Sequence, residues 1–252
     1  GIHLRQQANN PFLNEFRMKT LQSLVLASSI ILFISCAETS KKEVKVLNTE
    51  TIVEKVDGAS KMLEGEITSY NTIAVLDHHR MAEEEGAYTP PAIVTMFSDP
   101  QINTALVKQN QRIGLDLPFK ILCYSEPDTA SVSVAITSAE FIQSRHGISA
   151  DKLAEYKTSL AKISEVFPEE MVLEANLDSV TEGFGTVMIQ SDFDFETTVQ
   201  NLKTAVTSQS DTRWFGEIDY QSEAMALGEE IRPTILLLFG APTPGAKAMV
   251  TS

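Results

Sequence analysis

Two hydrophobic rhythms alternate along the chain from Val44 to Ile163. A short apolar run, Val44–Leu47, predicts a strand. Behind it Ile52, Val56, Ala59 and Leu63 recur at intervals of four, three and four residues, the spacing of one helix face. Thr51 with Glu54 three residues on makes a capping-box start for that helix. Further on, TIAVL (Thr72–Leu76) and AIVTMF (Ala92–Phe97) predict strands. In the next strand Phe119, Ile121 and Cys123 alternate with Lys120, Leu122 and Tyr124, and in SVSVAIT (Ser131–Thr137) Val132, Val134 and Ile136 share a face. Leu153, Tyr156, Leu160 and Ile163 then form an apolar stripe at helical spacing. The order is strand, helix, four strands with a short helix inserted, and helix. Hairpin-like connections with helices gathered on one face predict an α+β two-layer sandwich.

The same pattern is written a second time. DHHRMAEEEGAYTPPAIVTMFSDP (Asp77–Pro100) and DYQSEAMALGEEIRPTILLLFGAP (Asp219–Pro242) align without a gap, 142 residues apart, and share Asp, Ala, Gly, Pro, Ile, Phe and Pro. Each shared residue has a structural reason. Asp77 and Asp219 suit helix N-caps, because a carboxylate accepts orphan backbone N–H groups, and Gly86 and Gly228 suit the positions just past the helix ends. Ala82 and Ala224 allow the helix to approach the sheet closely. Pro91 and Pro233 open the next strand, and Pro100 and Pro242 end it. Upstream of the second block, Thr186–Ser191 predicts a strand, and Phe195, Val199, Leu202 and Val206 predict a helix capped by Asp194. The expected division is a first domain over 44–166, a linker over 167–183 and a second domain over 184–252. Counterparts of Leu115–Thr137 would fall past Ser252, so the second copy is expected to be truncated, without its last two strands and final helix.

These residues resemble the DUF302 (TT1751-like) family of bacterial and archaeal domains. The first copy carries Asp77-His78, Ala82, Gly86, Pro91, Phe97-Ser98-Asp99-Pro100, Gly114-Leu115-Asp116-Leu117-Pro118 and Arg145-His146-Gly147. The second carries Asp219, Ala224, Gly228, Pro233, Phe239-Gly240-Ala241-Pro242 and Gly245. The resemblance implies a duplicated β-α-β4-α sandwich of the TATA-binding-protein-like class and a tendency to dimerise through the sheet. It implies no activity, since the family has none established. Tyr220 stands where the first copy has His78, so a role for that histidine would belong to one copy alone.

The N-terminal region changes where the protein is expected to work. Met18–Cys36 has a basic start at Lys19, an apolar run from Leu24 to Ile34 and a final cysteine, the layout of a secretory signal peptide. It resembles a bacterial lipoprotein signal, which implies cleavage before Cys36 and acylation there. The apolar run is too short for a membrane-spanning helix. Residues 1–17 then read as translated upstream sequence and 37–43 as a tether, and the expected site is the cell envelope, on the periplasmic side of the outer membrane. The chain carries 20 basic and 34 acidic residues, a net charge of −14. That excess repels nucleic acid and anionic lipid, leaving the lipid anchor as the expected membrane contact. With Cys36 acylated, Cys123 has no intrachain disulfide partner.

Candidate chemistry is sparse. The sequence has no P-loop, dinucleotide fingerprint, G-x-S-x-G elbow or C-x-x-C, and no cofactor is expected. His79 and Glu83, at i and i+4 on a helix, are a two-ligand metal candidate; the bland alternative is a solvated helix face. Asp77, His78, Asp219 and Tyr220 are the ligand-binding candidates, although a carboxylate occupied in capping is a poor general base. His146 sits at a helix end, where a positive imidazole and Gly147 favour termination. The function read from this is a non-catalytic module that binds a small ligand or an envelope partner. Its rivals are an enzyme or metal handler using Asp77, His78 and His79, and a purely structural assembly module forming a homodimer or an intramolecular pseudo-dimer.

Overall fold

A computed structural model of the chain describes residues 49–127 and 129–249. The predicted strand Val44–Leu47 and the segment Met18–Cys36 lie outside those residues. The protein is a mixed α+β structure with a five-stranded mixed sheet. It begins with helix α1 (Thr49–Glu66), followed by β1 (Asn71–Asp77), α2 (His78–Glu84), β2 (Ala92–Ser98) and α3 (Pro100–Gln109). Next come β3 (Phe119–Tyr124), β4 (Ser133–Ile136), α4 (Ala139–His146), α5 (Ala154–Ser164) and β5 (Val172–Leu173). A second, two-stranded sheet follows: α6 (Phe195–Thr207), β6 (Arg213–Asp219), α7 (Tyr220–Ala226), β7 (Ile235–Gly240) and α8 (Pro242–Met249).

The first sheet runs in the order β1-β2-β3-β4-β5, antiparallel except for the final parallel pair. Alternation along the strands makes its core. Ile93 and Phe97 on β2, and Phe119, Ile121 and Cys123 on β3, face Val56, Ala59 and Leu63 of α1 and Tyr156, Leu160 and Ile163 of α5 in one buried cluster. Phe119 stacks on Phe97 at 5.4 Å between ring centres and on Tyr156 at 4.7 Å, while the Tyr156 hydroxyl donates to Thr137 O at 2.7 Å. Strand-to-helix adhesion is therefore mainly apolar and aromatic.

The second sheet follows the course of the first. β6 and β7 pair in the register of β1 and β2, Asp219 opposite Ile235 as Asp77 is opposite Ile93. Each pair carries its irregularity at the same place, between Thr72 and Ala74 in β1 and between Trp214 and Gly216 in β6. These two bulges meet: a Cβ on Gly216 would lie 3.6 Å from the Ile73 carbonyl oxygen. Helix α3 packs on α7, and α2 on α8.

Several sequence expectations are corrected. Helix α1 starts at Thr49, so Thr51 lies inside it rather than at its cap. Pro100 and Pro242 do more than end strands. Each opens a helix, with Pro in the first turn where no N–H is needed, and at α3 Asp99 caps by accepting from Gln101 N–H at 2.9 Å. The 167–183 stretch is not only a linker, because Val172–Leu173 pairs in parallel with Val134–Ala135. Thr186–Ser191 is not a strand. It is irregular, with Val187 86% and Ile189 87% exposed, because a strand needs a ladder partner and none is paired with it among the described residues.

Candidate functional site

Helices α2 and α7 are seven residues each and are set by their first residue. Asp77 Oδ1 accepts from Arg80 N–H at 2.9 Å, and Asp219 Oδ1 from Ser222 N–H at 3.0 Å. Asp77 also pairs with the Arg80 guanidinium, which reaches Asp57 on α1 at 2.8 Å. Hydrogen bonding from Arg80 holds the Asp57 carboxyl below its ordinary value. Gly86 (φ +69°) and Gly228 (φ +74°) take the left-handed turn past each helix. Both aspartates are therefore engaged as caps, leaving the residue after each cap to face the other half of the molecule.

Those next residues, Tyr220 and His78, have different fates. Tyr220 is 1% exposed. Its hydroxyl donates to Gly114 O at 2.8 Å and Leu117 O at 2.7 Å, and its ring lies so close that a Cβ on Gly114 would come within 2.9 Å of it. Burial raises its phenol pKa well above the usual range. Beside it Ser98 Oγ donates to Glu223 Oε1 at 2.8 Å, and Asn103 Nδ2 donates to Glu223 Oε2 at 2.9 Å and to Ser98 Oγ at 2.7 Å. The α7–α3 contact is thus filled and polar.

At the matched place between α2 and α8, the four side chains differ. His78 stands in place of Tyr220, Met81 of Glu223, Gly240 of Ser98 and Gly245 of Asn103. The side chains that lock the first contact are gone, and a cleft of about 250 Å³ remains, walled by Phe215 and Phe239 as well as those four residues. Phe239 is 52% exposed, whereas its counterpart Phe97 is fully buried. Gly240 is dictated by Phe215, since a Cβ there would meet the ring at 2.7 Å. Desolvation lowers the His78 pKa, so its imidazole is neutral at neutral pH. A larger groove of about 650 Å³, lined by Lys108, Arg112, Glu230 and Arg232 among others, is less selective: Lys108 already pairs with Glu229 and Arg112 with Glu182.

The metal candidates are adjacent but few. His79 Nδ1 lies 2.6 Å from Thr89 O, and because a carbonyl only accepts, that nitrogen carries the proton. Nε2 is 3.6 Å from Glu83 Oε1. Among the described residues no third Asp, Glu, His or Cys joins them as a metal-holding group. Cys123 is buried, and burial pushes its thiol up to about 12, which keeps it protonated and inert.

A further cluster joins residues of two separate sequence motifs. Asp116, in the turn that receives Tyr220, is bound by Arg145 Nη1 at 2.6 Å and His146 Nε2 at 2.5 Å, all three largely buried. His146 does end α4, with Gly147 at φ +63°, yet its ring serves this carboxylate rather than solvent. Lys120 donates to Leu115 O at 3.1 Å in the same turn, and burial brings its amine down to about 8. Both G-L-D-L-P and R-H-G stood out in the sequence, but the roughly thirty positions between them gave no sign that they meet.

The family profile described as Domain of unknown function DUF302 matches residues 43–167 and 187–252. The chain belongs to that family. Among curated proteins, this DUF302 chain is 30% identical over 101 residues to the fluoride-specific ion channel FluC 1 of Brucella suis biovar 1 (strain 1330), covering 39% of this chain and 37% of that protein. A likeness of the same identity and extent to FluC 1 of Brucella abortus biovar 1 (strain 9-941) covers 35% of that protein. The chain thus spans just over a third of the length of the curated relatives it matches. Among solved structures, an uncharacterized conserved DUF302 protein from Bacillus stearothermophilus superposes with a TM-score of 0.38 and 15% identity, over 44% of this chain and 89% of that one. Among the described residues no helix is long and apolar enough to cross a membrane.

Proposed function

We propose that this DUF302 protein is a non-catalytic small-ligand-binding module whose site is the cleft between α2 and α8. One observation carries the reading. At two places built from positions 142 residues apart, Tyr220, Glu223, Ser98 and Asn103 meet in the first, while His78, Met81, Gly240 and Gly245 line an apolar cleft in the second. Apolar walls around a single polar group are the usual make-up of a small-molecule site. The carboxylates of the capping aspartates are engaged at the helix starts, which suits them poorly to general-base work. The pseudo-two-fold exchange of α3·α7 and α2·α8 contacts supports reading the two halves as an intramolecular pseudo-dimer of duplicated domains.

Location follows from the Met18–Cys36 pattern, which supports secretion and lipid anchoring at Cys36. Ion conduction, named for the Brucella relatives, is not extended to this chain. A thermal-shift screen of the full chain against a broad compound library tests the binding reading. A hit should lose its shift in Gly245→Leu, whose side chain would grow into the cleft, because a Cβ at Gly245 meets nothing within 4 Å. A screen without any hit, or hits indifferent to that substitution, would refute it.

A further inference from the structure

We infer that His79 Nε2 and Glu83 Oε1, one turn apart on α2, form an exchangeable chelate for a divalent first-row transition ion of the zinc class. The pair is separate from the cleft: His78, Met81 and Ala82 line that side of α2, whereas His79 and Glu83 lie on the part of the helix turned away from it.

The imidazole is set up as a ligand. The carbonyl of Thr89, a fully buried residue, accepts from His79 Nδ1 at 2.6 Å, and the Tyr88 ring stands edge-on to the imidazole at 5.7 Å between centres. A histidine whose one ring nitrogen donates to a carbonyl has its tautomer fixed and its other nitrogen made more basic, the usual support behind a metal-bound imidazole. The lone pair is therefore on Nε2, and it faces a carboxylate. Glu83 Oε1 is 3.6 Å away, too far for a hydrogen bond, so two acceptors confront each other. A cation between them resolves that confrontation. At bond lengths of about 2.0–2.2 Å, a tetrahedral ion would hold the nitrogen and the oxygen about 3.4 Å apart. The Glu83 side chain, 60% exposed, has the freedom to close the small difference.

The neighbouring charges leave the pair to such an ion. Arg213 takes Glu84 and Glu85, and Asp57 and Asp77 take Arg80. Among the described residues His79 is the one group that pairs with Glu83. Imidazole beside carboxylate suits zinc and its neighbours, whereas magnesium and calcium take oxygen ligands. Closed structural zinc sites use four protein groups; two leave the other positions to water, so the ion exchanges. The second half has no such pair, because Gln221, Met225 and Ile231 stand where the first half has His79, Glu83 and Thr89.

The test is a titration of the full chain with zinc ion, followed by calorimetry and by the imidazole signals of His79 in heteronuclear NMR spectra, with magnesium ion as control. Zinc is expected to move the His79 Nε2 signal saturably, and magnesium to leave it in place. Glu83→Gln, at an exposed position, should weaken zinc at least about ten-fold, and His79→Gln likewise; the glutamate variant decides the matter if the histidine variant does not fold. Glu84→Gln removes the same charge one residue on and should bind zinc as the parent does. Zinc that leaves the His79 signals unmoved, or that moves them equally in Glu83→Gln, overturns the inference. So does an Nε2 found protonated at neutral pH, the mark of a plain imidazolium–carboxylate pair.

Discussion

Replacing Tyr220 with phenylalanine removes one buried O–H and nothing else. The ring stays, so its packing against Gly114 is kept. What is lost is a proton shared between Gly114 O at 2.8 Å and Leu117 O at 2.7 Å, both in the turn that Asp116 ties to α4. An ordinary hydrogen bond contributes about 0.5–1.5 kcal/mol net, and a buried acceptor left without a donor costs about 1–3 kcal/mol. Two acceptors share one donor here, so Tyr220→Phe should destabilise by about 2 kcal/mol. At roughly 2–4 °C per kcal/mol for a chain of this size, the midpoint falls by about 4–8 °C. Urea unfolding followed by far-ultraviolet circular dichroism and by the fluorescence of Trp214, the chain's one tryptophan, measures it. Because Trp214 is on β6 and Tyr220 opens α7, the tryptophan midpoint should move at least as far as the dichroism midpoint. A change below about 0.3 kcal/mol in both would refute the claim that this hydroxyl fastens the second sheet to the first.

Three further outcomes follow from the same geometry. Asp116→Asn removes the charge shared by buried Arg145 and His146 and should cost about 3–5 kcal/mol in chemical denaturation; a loss under about 1 kcal/mol would mean the cluster is solvated. Lys120 has an amine brought down by burial to about 8 from an ordinary 10.5. Across that interval the unfolded chain holds the extra proton, so this group makes stability rise with pH from 8 to 10.5. Lys120→Met should flatten the rise relative to the parent protein, and an unchanged slope would contradict it. Val187→Lys should change stability by less than about 0.5 kcal/mol, as expected at so exposed a site, whereas a paired apolar strand at Thr186–Ser191 would lose several times that.

The elements legible in the sequence were those whose signal is local. The period of four, three and four in α1 and α6, the two-residue alternation of β3, and the Asp and Gly that bracket α2 and α7 each report a nearby physical requirement, and the structure has all of them. Helix α3 is legible too: Asp99, Pro100 and the Ile102–Leu106 spacing mark it, because a proline that ends a strand also suits the first turn of a helix. What could not be read locally is what long-range contact decides. Thr186–Ser191 has the composition of a strand, yet among the described residues no strand pairs with it. Tyr220 and His78 look interchangeable beside their caps, yet one is sealed by carbonyls more than a hundred residues away and the other borders a cleft. Asp116, Arg145 and His146 belong to separate motifs, and only the fold makes them one charge cluster.

The matched bulges of β1 and β6 bear on how the edges of the two sheets are kept from pairing with other strands. Strands with free edges invite further strands to dock on them, and native proteins blunt such edges with irregularities that spoil the ladder. Here each irregular edge is set against the other, with Gly216 close to the Ile73 backbone, while the two sheets remain separate ladders. Two vulnerable margins shield one another without fusing into a longer sheet, so neither offers a growing end to a stray chain.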